Sequence, residues 1–219
     1  RDEVADELAR AFGELDPEQD AVFAALARHL EIPALELRAA ETAGVRDVRL
    51  TSLYPVPPYK PKGGYTVDPA LVLGFAKQES RFDTTALSRA GARGVMQIMP
   101  ATGKELKVGD IHLVDNNINA GVKYIRYLIE QYYSKESMTD LNKVLFAFAA
   151  YNAGPTRINQ LRAEASKRGL DPNIWFDNVE RIAAERIGNE TVQYVSNIYK
   201  YSVAYKLVIE LPNKGEQIK

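Results

Sequence analysis

Apolar residues recur at helical spacing along almost the whole chain, and nowhere do they alternate for the length of a β-strand. Val4, Leu8 and Phe12 form a first stripe. Asp16-Pro17 starts a second helix carrying Val22, Phe23, Leu26 and Leu30, and Ile32-Pro33 breaks it before a third runs to about Ala43. Asp68-Pro69 caps a helix with the stripe Leu71, Val72 and Phe75. Ala101 to Leu106 reads as a short helix. Asp115 or Asn116 caps the next, with Ile118, Val122, Ile125 and Ile129 facing inward. Leu141 to Asn152 is a nearly uncharged core helix with Leu145, Phe148 and Ala149, stopped by Gly154-Pro155. Pro155 to Arg168 is amphipathic and ends at Gly169. Asp171-Pro172 opens a segment with Trp175 and Phe176, and the last long helix runs from Asn189 to about Ile209. Tyr194, Ile198, Tyr201 and Tyr205 share one face of that helix. The pattern predicts an all-α or mainly α fold, with a small irregular strand region around Arg93 to Ile98.

Pro55, Pro57, Pro58, Pro61 and Gly63-Gly64 interrupt the helical pattern. Sequence of this kind is extended and semi-rigid, so residues 53–66 are predicted to form a surface strap between a helical segment, 1–52, and a larger domain, 67–219. The three short helices before the strap bury too little to stand alone and must pack on a neighbour. The chain opens RDEVADEL, without Met or a signal-peptide pattern, and reads as processed or cut from a longer protein.

Composition narrows the chemistry. The 219 residues contain no cysteine, which excludes disulfides, thiolate metal sites and cysteine nucleophiles. No uncharged apolar run approaches the length of a membrane span. The net charge of −1 divides unevenly: residues 1–50 carry −6 and residues 51–219 carry +5. A mildly basic larger domain suits a substrate bearing carboxylates, though ordinary charge scatter produces the same figure. No basic patch for nucleic acid stands out. Asp115, Asn117 and Asn119 imitate the start of a calcium loop, but the required glycine is one position late and Arg126 occupies the place of the bidentate glutamate. No metal site is expected. His29 and His112 are isolated, and no His-Glu-x-x-His pattern exists.

The stretch Gln78 to Pro100, QESRFDTTALSRAGARGVMQIMP, carries the chemistry. Glu79 lies eight residues after Leu71 and four after Phe75, inside the apolar stripe. Burial raises a carboxyl pKa, and a carboxyl protonated near neutral pH can serve as a general acid. The plainer reading is a buried glutamate in an ion pair or at a helix end. Gly91 and Gly94 permit positive φ and close backbone approach. Ser88, Gln97 and Met99 offer a hydroxyl, an amide and a soft apolar contact, a set suited to an N-acetylated sugar. Taken singly, Ser88 is a cap and Met96 and Met99 are core filler.

The order Glu79-Ser80, then Ser88-x-x-Gly91-Ala92-x-Gly94-x-Met96-Gln97-Ile98-Met99-Pro100, resembles the signature of the soluble lytic transglycosylases. AYNAGP, Ala150 to Pro155, resembles that family's second motif, and NETVQYVSNI, Asn189 to Ile198, its third. The likeness runs from about Tyr54 to Leu211. Ile187-Gly188 and Val192 depart from the pattern of the third block. The resemblance implies a lysozyme-like catalytic domain, and makes residues 1–52 the end of an α-superhelical or linker domain. It implies cleavage of the β-1,4 bond between N-acetylmuramic acid and N-acetylglucosamine in peptidoglycan glycan strands, at the periplasm or cell envelope. Glu79 would be acid and then base, with Ser88, Gln97, Met99, Tyr151, Asn152 and Glu190 holding the sugar and Tyr194 shaping the cleft.

Ordinary glycosidases flank the bond with two carboxylates. The signature blocks hold one besides Glu79, namely Glu190, and Asp83, four residues after Glu79, would lie beside it rather than across a sugar. A single carboxyl suffices if the substrate's 2-acetamido group stabilises the cation and its 6-hydroxyl closes a 1,6-anhydro ring, as the resemblance implies. No cofactor is then required. Two alternatives are a goose-type hydrolytic lysozyme, which would deliver water, and a non-catalytic wall-binding module. Partners in a secretion or cell-wall machine leave no trace in the sequence.

Overall fold

The computed structural model describes residues 7–8, 10, 19–43 and 50–210, and these are mainly helical. Two short helices come first, α1 (Asp20–His29) and α2 (Pro33–Ala43), then the single turn α3 (Leu50–Leu53). After them come α4 (Pro69–Ser80), α5 (Pro100–Glu105), α6 (Val114–Leu128), α7 (Asp140–Ala153), α8 (Pro155–Lys167), α9 (Glu180–Ile187) and α10 (Asn189–Glu210). Widened π-turns follow α6 at Ile129–Tyr133 and precede α9 at Trp175–Val179. Among the described residues the only β pairing is two isolated antiparallel bridges, Leu87 to Arg93 and Arg93 to Ile98, where the small strand region was expected. The stripe through Val4 and Phe12 and the cap at Asp16-Pro17 lie outside the described residues.

The central helices are those the apolar pattern marks. Val72 and Phe75 of α4, Ile118, Val122 and Ile125 of α6, and Leu145, Phe148 and Ala149 of α7 are buried in one core. Asp68 caps α4 as expected, its carboxylate accepting from the Ala70 amide at 2.9 Å. Thr139 caps α7 in the same way.

Two expectations fail locally. In α1, Phe23, Ala24 and Ala27 turn inward, whereas Val22, Leu26 and Leu30 are exposed. Small alanines let α1 and α2 approach closely, and that close packing selects the inward face. At α6 neither Asp115 nor Asn116 is the cap; Leu113 holds that position without a side-chain bond. The Asp115 carboxylate instead accepts from the Lys60 amide at 2.8 Å, and Asn116 donates to the Asp110 carbonyl at 3.0 Å. Asp115 is thereby spent on fastening the strap.

The strap from Pro55 to Pro61 has neither helix nor strand and turns at Pro57, whose carbonyl accepts from the Tyr59 amide at 2.9 Å; Tyr54, Tyr59 and Tyr65 pack on the core. Lys77 of α4 grips its start. The ammonium donates to the Leu53 carbonyl at 2.6 Å and sits 4.7 Å from the Tyr54 ring centre and 5.2 Å from that of Tyr201. Burial pulls its pKa down to about 8. Glu41 of α2 is 3.9 Å from Lys77 and pairs with Arg81, so one carboxylate of the first segment holds two cations that flank Glu79.

Helices α4 and α10 cross at Gly74. A β-carbon there would stand 2.7 Å from Ser202 Oγ, 3.2 Å from the Ile198 carbonyl oxygen and 3.3 Å from the Ser202 amide nitrogen. Two of these neighbours are backbone and cannot swing away. Gly74→Ala is therefore expected to push the helices apart despite alanine's better helix propensity, costing about 1–3 kcal/mol. A thermal melt checks this: the midpoint should fall by roughly 2–10 °C.

Candidate active site

Glu79 sits in the last turn of α4, which ends at Ser80 with Arg81 in the left-handed conformation. Phe82 is also left-handed, with φ 67°, so the chain reverses sharply after Glu79. Asp83 is consequently not one helical turn beyond Glu79, as its spacing implied. Its carboxylate accepts from the Thr85 amide and hydroxyl at 2.8 and 2.7 Å and belongs to the next turn.

Two tyrosines from distant helices enclose Glu79. The Tyr194 hydroxyl, from the first turns of α10, donates to Oε1 of Glu79. Tyr151, from the end of α7, packs its ring on Phe75 at 4.8 Å and donates its hydroxyl to the Met96 carbonyl at 2.7 Å. Phe75 also meets the Tyr194 ring edge-on at 6.4 Å. Tyr151 thus points into this cluster. Helix α7 carries it directly opposite α4, and a ring there gains more from Phe75 than from water.

Electrostatics follow from this enclosure. Burial pushes the Glu79 carboxyl up to about 7, and the Tyr194 hydrogen bond works against that rise by favouring the carboxylate. Both tyrosine hydroxyls are driven well above their usual range, first by burial and then by the nearby Glu79 charge, so they remain donors. A carboxyl that is half protonated near pH 7 and fixed through one oxygen can give or take a proton through the other.

The glycine-rich strip forms the adjoining wall. Gly94 has φ 70°, and Gln97 has φ 46°. Gln97 Nε2 donates to the Gly94 carbonyl at 2.9 Å and the Ala86 carbonyl at 3.3 Å. Ser88 Oγ accepts from the Ala92 amide at 2.9 Å, closing the turn that contains Gly91. Both side chains brace the loop. Met99, by contrast, is 41% exposed and open to a ligand. On the other rim, Asn152 is exposed and its carbonyl oxygen accepts from Thr191 Oγ1 at 2.7 Å, which ties the end of α7 to the start of α10. Glu190, also exposed, precedes Thr191 on that rim.

Asn117 and Ser80 do structural work that sequence reading missed. Asn117 is buried in α6. Its carbonyl oxygen accepts from the Met96 amide at 2.8 Å, and its amide donates to the carbonyls of Arg93 and Ile111 at 2.9 and 3.0 Å. Ser80 Oγ donates to the Val95 carbonyl at 2.9 Å, stitching the residue after Glu79 to the same loop. The available signal was an asparagine beside Ile118 and Gly121 on the buried side of an amphipathic helix. No group of three His, Asp or Glu residues arranged to hold a metal occurs among the described residues.

Residues 58–174, a little over half of the chain, match the Transglycosylase SLT domain family. Membrane-bound lytic murein transglycosylase F of Haemophilus influenzae is 32% identical over 148 residues, which is 62% of this chain and 30% of that protein. The 70 kDa soluble lytic transglycosylase SLT70 of Escherichia coli superposes with a TM-score of 0.71 at 24% identity, over 93% of this chain and 32% of that one. An inactive mutant of lytic transglycosylase Slt from Pseudomonas aeruginosa gives 0.65 at 25% identity, over 94% and 33%. The chain thus spans about a third of the length of these relatives. With the family model matching more than half of the chain and the fold shared with SLT70, the chain belongs to the Transglycosylase SLT domain family.

Proposed function

We propose that this chain is the catalytic part of a peptidoglycan lytic transglycosylase. It cleaves the β-1,4 bond between N-acetylmuramic acid and N-acetylglucosamine and leaves a 1,6-anhydromuramic end. The observation that carries this reading is the Glu79 carboxyl, raised to about 7 and held by Tyr194, at the meeting point of all three signature blocks. The relatives named above are lytic transglycosylases, and a further neighbour is the soluble 70 kDa enzyme in complex with bulgecin A, with a TM-score of 0.69.

Glu79 protonates the departing glycosidic oxygen as the bond from C1 breaks. The 2-acetamido group of the muramic acid stabilises the cation left at C1. The Glu79 carboxylate then takes the proton of the 6-hydroxyl, and O6 bonds to C1. The proton lost in the first half is regained in the second, and no water is consumed. Burial and the Tyr194 hydroxyl are what set the proton affinity of Glu79; no neighbouring carboxylate contributes, which favours a one-carboxyl cycle. Met99, Asn152 and Glu190 line the sugar-binding rim. Ser88 and Gln97 shape that rim from behind, through the loop. Residues 1–52 are read as the end of a linker or superhelical domain; Glu41, among the described residues of that segment, meets Lys77 and Arg81 of the stretch that carries Glu79.

Such an enzyme works on the periplasmic side of the cell envelope; among the described residues no helix is long and apolar enough to cross a membrane. Mass spectrometry of products from purified peptidoglycan tests the reading. Muropeptides lighter by one water than hydrolysis products are expected. Reducing-end products would make water the acceptor and a goose-type hydrolase the better description. No products would favour a wall-binding module.

A further inference from the structure

Lys77 precedes Glu79 by two residues on α4 and faces away from it, since two residues turn a helix through about 200°. Its side chain is buried behind the catalytic helix. The ammonium is met from three other elements. The Leu53 carbonyl accepts from it at 2.6 Å, and the Tyr54 ring, at the start of the strap, lies 4.7 Å away. The Tyr201 ring of α10 lies 5.2 Å away, and Glu41 of α2 stands at 3.9 Å. Burying an ammonium costs free energy. A methionine is of similar length and would fill the same space without that cost. What the charge adds to packing is direction: one carbonyl and two ring faces fix where the ammonium sits, and with it the last turn of α4.

That turn has to be held. Arg81 and Phe82, just after its end, are both left-handed, with φ 55° and 67°. Residues other than glycine keep this conformation only where their surroundings enforce it. The Arg81 amide donates to the Lys77 carbonyl at 3.1 Å, and the Arg81 side chain pairs with Glu41. The buried Phe82 ring meets Tyr205 of α10 at 6.4 Å. Glu79 itself is held by the Tyr194 hydroxyl. Tyr194 and Tyr201 lie about two turns apart on α10. One rigid helix therefore touches α4 on two faces, at Lys77 through Tyr201 and at Glu79 through Tyr194. Displacement at the first contact is carried to the second.

We infer that Lys77 is a positioning residue for Glu79. Its ammonium fixes the last turn of α4 against α10 and the start of the strap, and Glu41 extends that hold to the first helical segment. The inference rests on the one-carboxyl reading and deepens it: residues before the strap become part of what sets the reactivity of Glu79. The charged and titratable groups facing the ammonium are Glu41, Tyr54 and Tyr201, with Arg81 at the helix end sharing Glu41. Lys77, with its pKa pulled down to about 8, is still mainly charged at pH 6.5, where Glu79 is mainly protonated.

The test is cleavage of soluble glycan strands at pH 6.5 by Lys77→Met and Lys77→Arg, each checked for folding by a thermal melt. Lys77→Met should lose about tenfold in kcat with KM within about twofold of wild type, because Met99, Asn152 and Glu190 meet the sugar from other elements. Lys77→Arg keeps a cation that stacks on aromatic rings and donates to a carbonyl, and should return to within about threefold of wild type. The pH profile separates positioning from general weakening. Loosening the Tyr194 bond removes a contact that favours the Glu79 carboxylate, and loss of a cation two residues away acts in the same direction. The alkaline limb of kcat/KM should therefore move to higher pH by about half a unit in Lys77→Met. Wild-type kcat with an unmoved limb overturns the inference, as does a loss confined to KM or one that arginine does not relieve. If Lys77→Met does not fold, Glu41→Gln takes its place, since that side chain is partly exposed. A kcat loss of about two- to fourfold with a limb moved the same way supports the inference, and wild-type kinetics refutes it. If wild type cleaves no glycan, the activity reading itself has failed. Titration of carboxyl-labelled Glu79 by NMR then decides the positioning alone: a higher midpoint in Lys77→Met supports it, and an unchanged midpoint refutes it.

Discussion

Glu79→Gln is expected to lower turnover on peptidoglycan by about 10²–10⁴-fold and, at alkaline pH, to stabilise the protein. The two effects have one cause. Glutamine keeps the shape and can still accept from Tyr194, but it has no proton to give. Burial raises the Glu79 pKa from the usual 4.5 to about 7. A folded-state pKa above the unfolded one means that stability is fullest below about pH 4.5 and declines as pH rises through about 7. Glutamine has no such dependence. The difference between variant and wild type should be small at pH 4 and reach about 2–3 kcal/mol in favour of the variant at pH 8. Thermal melts at the two pH values measure it directly. The same shift predicts that wild-type kcat/KM falls above about pH 7, as the acid form is lost. A variant with wild-type turnover, or with the same stability increment at both pH values, would remove Glu79 from its assigned role.

What the sequence made legible was set by local spacing. Val72, Phe75, Ile118, Val122 and Ile125 could be assigned to the core because a helix repeats every 3.6 residues, and the structure buries all five. The signature blocks could be assigned to a site because their residue types are unusual together. Contacts between blocks were not legible. Nothing in AYNAGP says that Tyr151 reaches the Met96 carbonyl, since that depends on how α7 lies against α4. Likewise the stripe of α1 could not announce that Ala24 and Ala27 would be preferred over Val22 and Leu26. Apolar volume marks candidates for burial, but close helix approach selects small residues from among them. Asp83 was misplaced for a different reason: a helical spacing rule was extended past a helix end created by two left-handed residues.

The same dependence on contacts between blocks makes Asn117→Ala the most severe change expected outside the catalytic group. The substitution would leave the Met96 amide and the carbonyls of Arg93 and Ile111 without their partner in a buried site. Each such group costs about 1–3 kcal/mol, and local relaxation recovers part, so a loss of roughly 3–5 kcal/mol is expected. For a chain of this size the melting midpoint should drop by about 8–15 °C. Turnover should fall too, even at temperatures where the variant is folded. The Met96 carbonyl holds Tyr151, and Tyr151 packs on the Phe75 ring that also supports Tyr194. Asn117→Asp separates the parts of this network. It keeps the acceptor for Met96 but places a carboxylate against two carbonyl oxygens. Its melt should therefore be worse than that of Asn117→Ala at pH 8, and should recover at pH 4 where the carboxyl is protonated and can donate. If Asn117→Ala melted within about 2 °C of wild type, the loop would have to owe its shape to the glycines alone, and the fixed position of Tyr151 would need another source.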